Sequence, residues 1–91
     1  MSKHTPGPWF SQYDDNGFYE IGSEAVSLRL AFTHGEGDTD EANARLIAAA
    51  PEMLAALEFL THAPILNSVS TWQEARRLVD AAIAKATGGA A

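Results

Sequence analysis

The chain offers few residues with the means to do chemistry. It has three histidines, His4, His34 and His62, and no cysteine. Without cysteine there is no disulfide framework, no thiol nucleophile and no thiolate zinc site. The histidines lie far apart and in different kinds of segment, so no helical spacing brings two of them together as a metal site or an acid–base pair requires. They read as surface or capping residues. Asp38 and Asp40 are spaced like the first ligands of a calcium loop, but the central glycine and terminal glutamate of such a loop are missing. Residues 34–41, with two glycines and four acids, read instead as a solvated loop. Its acids suit the start of the next helix, with Asp38 as N-cap and Glu41 three residues on. No phosphate-binding glycine loop, nucleophile elbow or paired-carboxylate pattern occurs. The expectation is a protein that is not an enzyme and carries no metal or cofactor.

Two polar residues stand out by position. On a helix advancing 100° per residue, Asn43 falls inside the apolar stripe of Leu46, Ile47 and Ala50. A buried amide there needs partners, because leaving it unsatisfied costs roughly 1–3 kcal/mol. It would bond to the sheet backbone or to the N-terminal arm, or else contact a ligand at the sheet–helix junction. Arg45 lies at the edge of the same stripe, where its stem can pack while the guanidinium reaches a carboxylate or a phosphate. Glu41 is the structural partner in reach. Trp9, after the turn-forming Pro6-Gly7-Pro8, should dock on a core edge.

The elements that would position these residues follow from pattern. Residues 1–8 read as an extended, tucked arm. Residues 9–33 read as a sheet. WFSQY and FYEI flank Asp14-Asp15-Asn16-Gly17, a hairpin signal. A two-residue Asn16-Gly17 loop would pair Tyr13 with Glu20 and Gln12 with Ile21, placing Phe10, Tyr19 and Ile21 on one face and Trp9 and Phe18 on the other. A longer loop is the alternative, and it changes the register. A second turn is expected at Gly22-Ser23-Glu24. In AVSLRLAF, Val26, Leu28, Leu30 and Phe32 alternate strictly, predicting a strand with one buried face. Residues 40–87 read as helical, with a kink or break near Pro51, which cannot donate to the Ile47 carbonyl. The segments are 40–49 and 51–62, with Leu46, Ile47, Ala50, Met53, Leu54, Leu57 and Leu60 as the core stripe. Phe59, Ala48, Ala55 and Ala56 fall off that stripe, a surface on which another copy could pack. After a connection over residues 62–69, Ser70 or Thr71 would cap a last helix whose apolar face is Trp72, Ala75, Val79, Ala82, Ile83 and Ala86. Residues 88–91 form a frayed tail. The prediction is one α+β domain, a three-stranded antiparallel meander covered by two to three C-terminal helices.

Composition narrows the partners. The net charge of −6 argues against direct nucleic-acid binding, which needs a basic footprint. It is compatible with simple solubility or with an acidic mimic that occupies a basic surface. The basic residues near the N-terminus are followed by no apolar run, and no apolar segment approaches ~18 residues. The expected compartment is the cytoplasm, with no membrane contact.

The segments His4-Thr5-Pro6-Gly7-Pro8-Trp9 and Ala42-Asn43-Ala44-Arg45-Leu46-Ile47-Ala48-Ala49-Ala50-Pro51, with the ending Ala81-Ala82-Ile83-Ala84-Lys85-Ala86-Thr87-Gly88, together resemble a widespread group of short proteins of tailed bacteriophages and prophages. The resemblance implies an accessory gene product, neither capsid nor replication machinery, with specificity carried by residues 10–35. Two functions are expected of such a protein. One is sequestration of a nucleotide-like signal, countering host defence, with Trp9 stacking on a base, Arg45 meeting a phosphate, Asn43 reading a polar edge and His4 beside them. The other is inhibition of a host defence or regulatory protein by surface mimicry. A homo-oligomer fits either.

Overall fold

The computed structural model describes residues 3–34, 37–62 and 69–88, with backbone alone at 37, 38 and 62. Strands β1 (Trp9–Tyr13), β2 (Tyr19–Ser23) and β3 (Leu28–Thr33) form an antiparallel sheet in the order β1-β2-β3. Helices α1 (Gly37–Ala48), α2 (Ala50–His62) and α3 (Val69–Ala86) follow. This is the expected α+β class. Helix α1 begins at Gly37, so the solvated loop expected over residues 34–41 is helical from 37 onward and Asp38 lies within the first turn, not ahead of it; the side chains of Asp38 and His62, the connection across 63–68 and most of the 88–91 tail lie outside the described residues.

The hairpin takes the longer loop. Tyr13 pairs with Tyr19, Gln12 with Glu20 and Phe10 with Gly22. The Asp14 amide donates to the Phe18 carbonyl at 2.6 Å, and the Gly17 amide to the Asp14 carbonyl at 2.9 Å. Gly17 is left-handed at φ 94°, and no residue other than glycine has positive φ among the described residues. Asn16 therefore does not adopt the type I′ conformation; a type I turn followed by a left-handed glycine closes the hairpin. Relative to a two-residue loop the register moves by one, so the faces are redistributed. Trp9, Ser11, Tyr13, Tyr19, Ile21 and Ser23 share one face. Phe10 belongs to the other, against the expectation that it would accompany Ile21. Its ring lies across Gly22, where a Cβ would stand 2.7 Å from the ring.

The alternation in β3 is also broken. Between Ile21–Ala31 and Gly22–Arg29 the ladder slips by one residue, a bulge that inserts Leu30. Leu30 and Ala31 consequently both pack on the core, while Val26, Leu28 and Phe32 are 42%, 52% and 46% exposed. The expected single buried face of Val26, Leu28, Leu30 and Phe32 is thus corrected by a bulge, which re-aims side chains locally. The turn after β2 comes two residues late, over residues 24–26. Ser23 Oγ accepts from the Ala25 and Val26 amides at 3.1 and 3.4 Å.

The helical break falls at Ala49, immediately before Ala50-Pro51. Proline is tolerated in a first turn and not within a continuing helix, so the predicted break near Pro51 is present. The buried side of the helices is different from the predicted stripe. Ala44, Ala48, Ala49 and Ala56 are the buried residues, while Leu46, Ile47, Leu54 and Leu57 are exposed. In α3 the buried residues are Ala75 and Ala82, with Trp72 and Ile83 more than half exposed. That helix begins at Val69, so Ser70 and Thr71 sit within its first turn, not ahead of it.

The core is small. Ile21, Ala44 and Ala48 form its centre, with Trp9, Tyr19, Leu30 and Ala31 against it. Large aromatic rings on the sheet leave room only for alanine on the facing side of α1, because interiors pack to crystal density. The molecule is long and thin, 49 × 29 × 16 Å with a radius of gyration of 14.9 Å, where a compact chain of this length gives about 12 Å.

Candidate functional site

The arm, α1 and the end of α3 meet at one junction. Trp9 Nε1–H donates to the Thr5 carbonyl at 3.1 Å, closing the arm on itself. Ser23 Oγ donates to the Pro6 carbonyl at 2.6 Å, and the Glu24 amide to the Pro8 carbonyl at 2.9 Å. A Cβ on Gly7 would stand 3.0 Å from Pro51 Cβ, so the glycine of the arm lies directly on the proline of the helical break. Trp9 reaches past it to the Ala44–Ala48 side of α1. On the other flank, Arg45 pairs with Glu41 at 2.7 Å. Its guanidinium also covers Gly88, where a Cβ would approach to 2.8 Å. Gly88 ends α3 with φ 78°, so the cation sits at the helix terminus whose carbonyls favour it. Lys85 in the last turn of α3 bridges to Glu52 in the first turn of α2 at 3.0 Å.

The four expected ligand-binding residues are placed unequally. His4 and Trp9 are together, edge to face at 6.3 Å between ring centroids. Trp9 has its indole N–H occupied and one flank in the core. Arg45 takes the expected partner Glu41 and remains 41% exposed. Asn43 is exposed, and the arm engages Pro51 and Ser23. The expectation of a buried Asn43 is therefore corrected: its stripe faces outward because the alanine side of α1 is the one that fits the sheet.

Two further groups border the junction. Burial pushes the Tyr19 phenol up, Glu41 adds to the effect and Arg45 opposes it. Asp40 is buried, and its backbone carbonyl accepts from Thr33 Oγ1 at 3.4 Å. Among the described residues no group of three or more His, Cys, Asp or Glu side chains is arranged to hold a metal ion, and no described helix is long and apolar enough to cross a membrane.

The outer face of the sheet carries a set of residues that sequence alternation assigned to the core or passed over. Phe32 packs against Phe18 with the rings tilted by 58° and 5.6 Å between centroids, and Phe18 lies 4.9 Å from His34. The Arg29 guanidinium stands 4.7 Å from the Phe32 ring centroid, a cation–π distance. Arg29 also donates to Glu20 at 2.8 Å, and Gln12 donates to the other Glu20 oxygen at 2.7 Å. These two donors hold the Glu20 carboxyl below the usual range, Gln12 first. A depression of about 370 Å³ opens between Phe10, Glu20, Leu28 and Arg29. The alternating β3 residues were the available signal. Knowing the bulge was necessary to see which of them face out.

Among the described residues no helix covers that outer face: α1 packs on all three strands from the other side, and neither α2 nor α3 makes a substantial contact with the sheet. The three segments that carry the phage resemblance, by contrast, are the ones that converge on the Trp9–Pro51–Gly88 junction and hold the fold together. No curated protein sequence and no solved structure is matched by the chain. A family model described as Salmonella phage P22 protein Y8K6 matches it over residues 1–90, and the chain belongs to that phage protein family.

Proposed function

We propose that this phage protein is a non-catalytic accessory binding protein that counters a host defence or regulatory protein by occupying part of its surface. The observation that carries the reading is the uncovered outer face of the sheet. It presents Phe32 and Arg29 to solvent in a preorganised arrangement, with half-buried Phe18 against Phe32 and Arg29 fixed between Glu20 and the Phe32 ring. Aromatic residues and arginine dominate the energetics of protein interfaces. The face is aromatic and nearly charge-balanced, so the reading departs from pure acidic mimicry. The test is immobilisation of the wild-type protein and of an Arg29→Ala/Phe32→Ala variant on separate supports, each challenged with host lysate. A host protein retained by the first and lost with the second supports the reading; identical retention by both counts against it.

A nucleotide-like signal is the second reading, favoured by one arrangement. His4 is exposed beside Trp9, and Arg45 keeps 41% of its side chain in solvent. In this reading a base stacks on the His4 side of the ring pair and a phosphate displaces Glu41 from Arg45. Calorimetry with cyclic and linear nucleotides tests it, and the absence of heat from a folded sample defeats it.

A further inference from the structure

The α2–α3 hairpin is a layer only two helices thick. Glu52 at the start of α2 pairs with Lys85 at the end of α3, and Leu60 at the end of α2 lines a groove with Val69 and Trp72 at the start of α3, so the helices run antiparallel. Their mutual contact is built on small side chains, with Ala56, Ala75 and Ala82 buried. At 100° per residue, Leu57 lies roughly a quarter of a turn from Ala56. Trp72, Val79 and Ile83 lie roughly a quarter of a turn from Ala75 and Ala82 in the same rotational sense. In antiparallel helices the same sense places these residues on one face of the hairpin. That face is uncovered: Leu57 is 61%, Trp72 55%, Ile83 53% and Val69 71% exposed. A groove of about 770 Å³ opens at one end of it, lined by Leu60, Val69, Trp72 and Val79. The opposite, more polar side of α3 carries Glu74 and Ala81.

We infer that this face is covered by the same face of a second copy of the chain, giving a four-helix layer across a two-fold axis. The area fits. The chain exposes 6269 Å² at a mass of 9.7 kDa, and a compact monomer of that mass exposes ~5,100 Å². The excess is about 1,200 Å² per chain or about 2,300 Å² per pair, within the range of permanent homodimers. The core calls for it too. Among the described residues Ile21 is the largest fully buried side chain, and the other buried apolar residues are alanines; small chains with so little core are commonly completed by association. The charges fit a self-complementary contact. Arg76 and Asp80 line the groove one turn apart with opposite signs, so antiparallel α3 helices bring the Arg76 of one copy to the Asp80 of the other.

The experiment is the solution mass of the full chain at micromolar concentration by light scattering and sedimentation, for wild type, Trp72→Lys, Leu57→Lys and Ala81→Lys. The expected result is twice 9.7 kDa for wild type and for Ala81→Lys, which lies on the polar side. Trp72→Lys and Leu57→Lys should fall to one chain with helical circular dichroism retained, a weakening on the order of 100-fold. Because the chain has no cysteine, an equimolar mixture of Arg76→Cys and Asp80→Cys chains, each with a single exposed thiol, should form the mixed covalent dimer across the 76–80 contact on mild oxidation whether or not the lysine variants fold. A wild-type mass of one chain, lysine variants that keep the wild-type mass, or no mixed cross-link between positions 76 and 80 would overturn the inference.

Discussion

Replacing Ile21 by alanine is the sharpest perturbation of the fold. Ile21 is 0% exposed on the central strand, between the aromatic rings of the sheet and Ala44 and Ala48 of α1. Its truncation removes buried apolar surface and leaves a cavity walled by a helix that cannot approach further, since its alanines already touch. Such substitutions cost about 2–5 kcal/mol. Total stability of small domains is ~5–15 kcal/mol, and this core places the chain toward the low end. In a domain of this size each kcal/mol lowers Tm by roughly 4–8 °C, so a fall of at least ~8 °C is expected. Leu28→Ala is the matched comparison. Strict alternation predicts Leu28 as core, but it is 52% exposed, and its truncation should cost less than ~1 kcal/mol. Thermal unfolding by circular dichroism, with tryptophan fluorescence as second probe, measures both. Equal losses at the two positions, or a larger one at Leu28, would refute the register and the bulge that place them.

Other outcomes follow from single features. Gly17→Ala forces a side chain into φ 94° and should cost about 1 kcal/mol in chemical denaturation, whereas Asn16→Ala should cost less. Gly88→Ala should destabilise through both φ 78° and the Arg45 guanidinium; in an Arg45→Ala background the second part vanishes, so a double-mutant cycle should show coupling. The Tyr19 phenol is raised above 10.0 when folded, so the native state holds its proton longer. Its contribution is complete below pH 10 and is lost as pH rises through the folded value. Ultraviolet titration should show Tyr19 ionising above the ordinary tyrosine range. Glu20 runs the other way. Its carboxyl is lowered from 4.5 when folded, so its contribution is present above that pH and disappears as pH falls through the folded value; Gln12→Ala should weaken this acid-side dependence.

The sequence made some of this legible for physical reasons. Proline chemistry located the break beside Pro51, and the turn residues located the hairpin. The meander and its helical cover followed from strand and helix periods. The side each element buries was harder to read. Periodicity shows that Leu46, Ile47, Leu54 and Leu57 share a stripe, but facing volumes decide whether leucine or alanine packs inward, and Trp9 and Tyr19 had already filled the space over α1. Likewise the single inserted residue at Leu30 reversed part of β3, and a three-residue turn in place of a two-residue one moved Phe10 to the outer face. Asn43 was singled out through its place in a stripe that faces solvent. Arg45 was read correctly as a partner of Glu41, because an i,i+4 pair is local; its second contact, with Gly88, is long-range and invisible in sequence.

The most direct test of the proposed binding face is capture of a host protein by three immobilised proteins in parallel: wild type, Arg29→Ala/Phe32→Ala on the outer sheet face, and His4→Ala/Arg45→Ala at the junction. The predicted result is one host protein held by wild type and by the junction variant and released by the outer-face variant, with all three folded by circular dichroism. Retention by the outer-face variant together with loss in the junction variant would contradict it and place binding at the His4–Trp9–Arg45 side of the molecule.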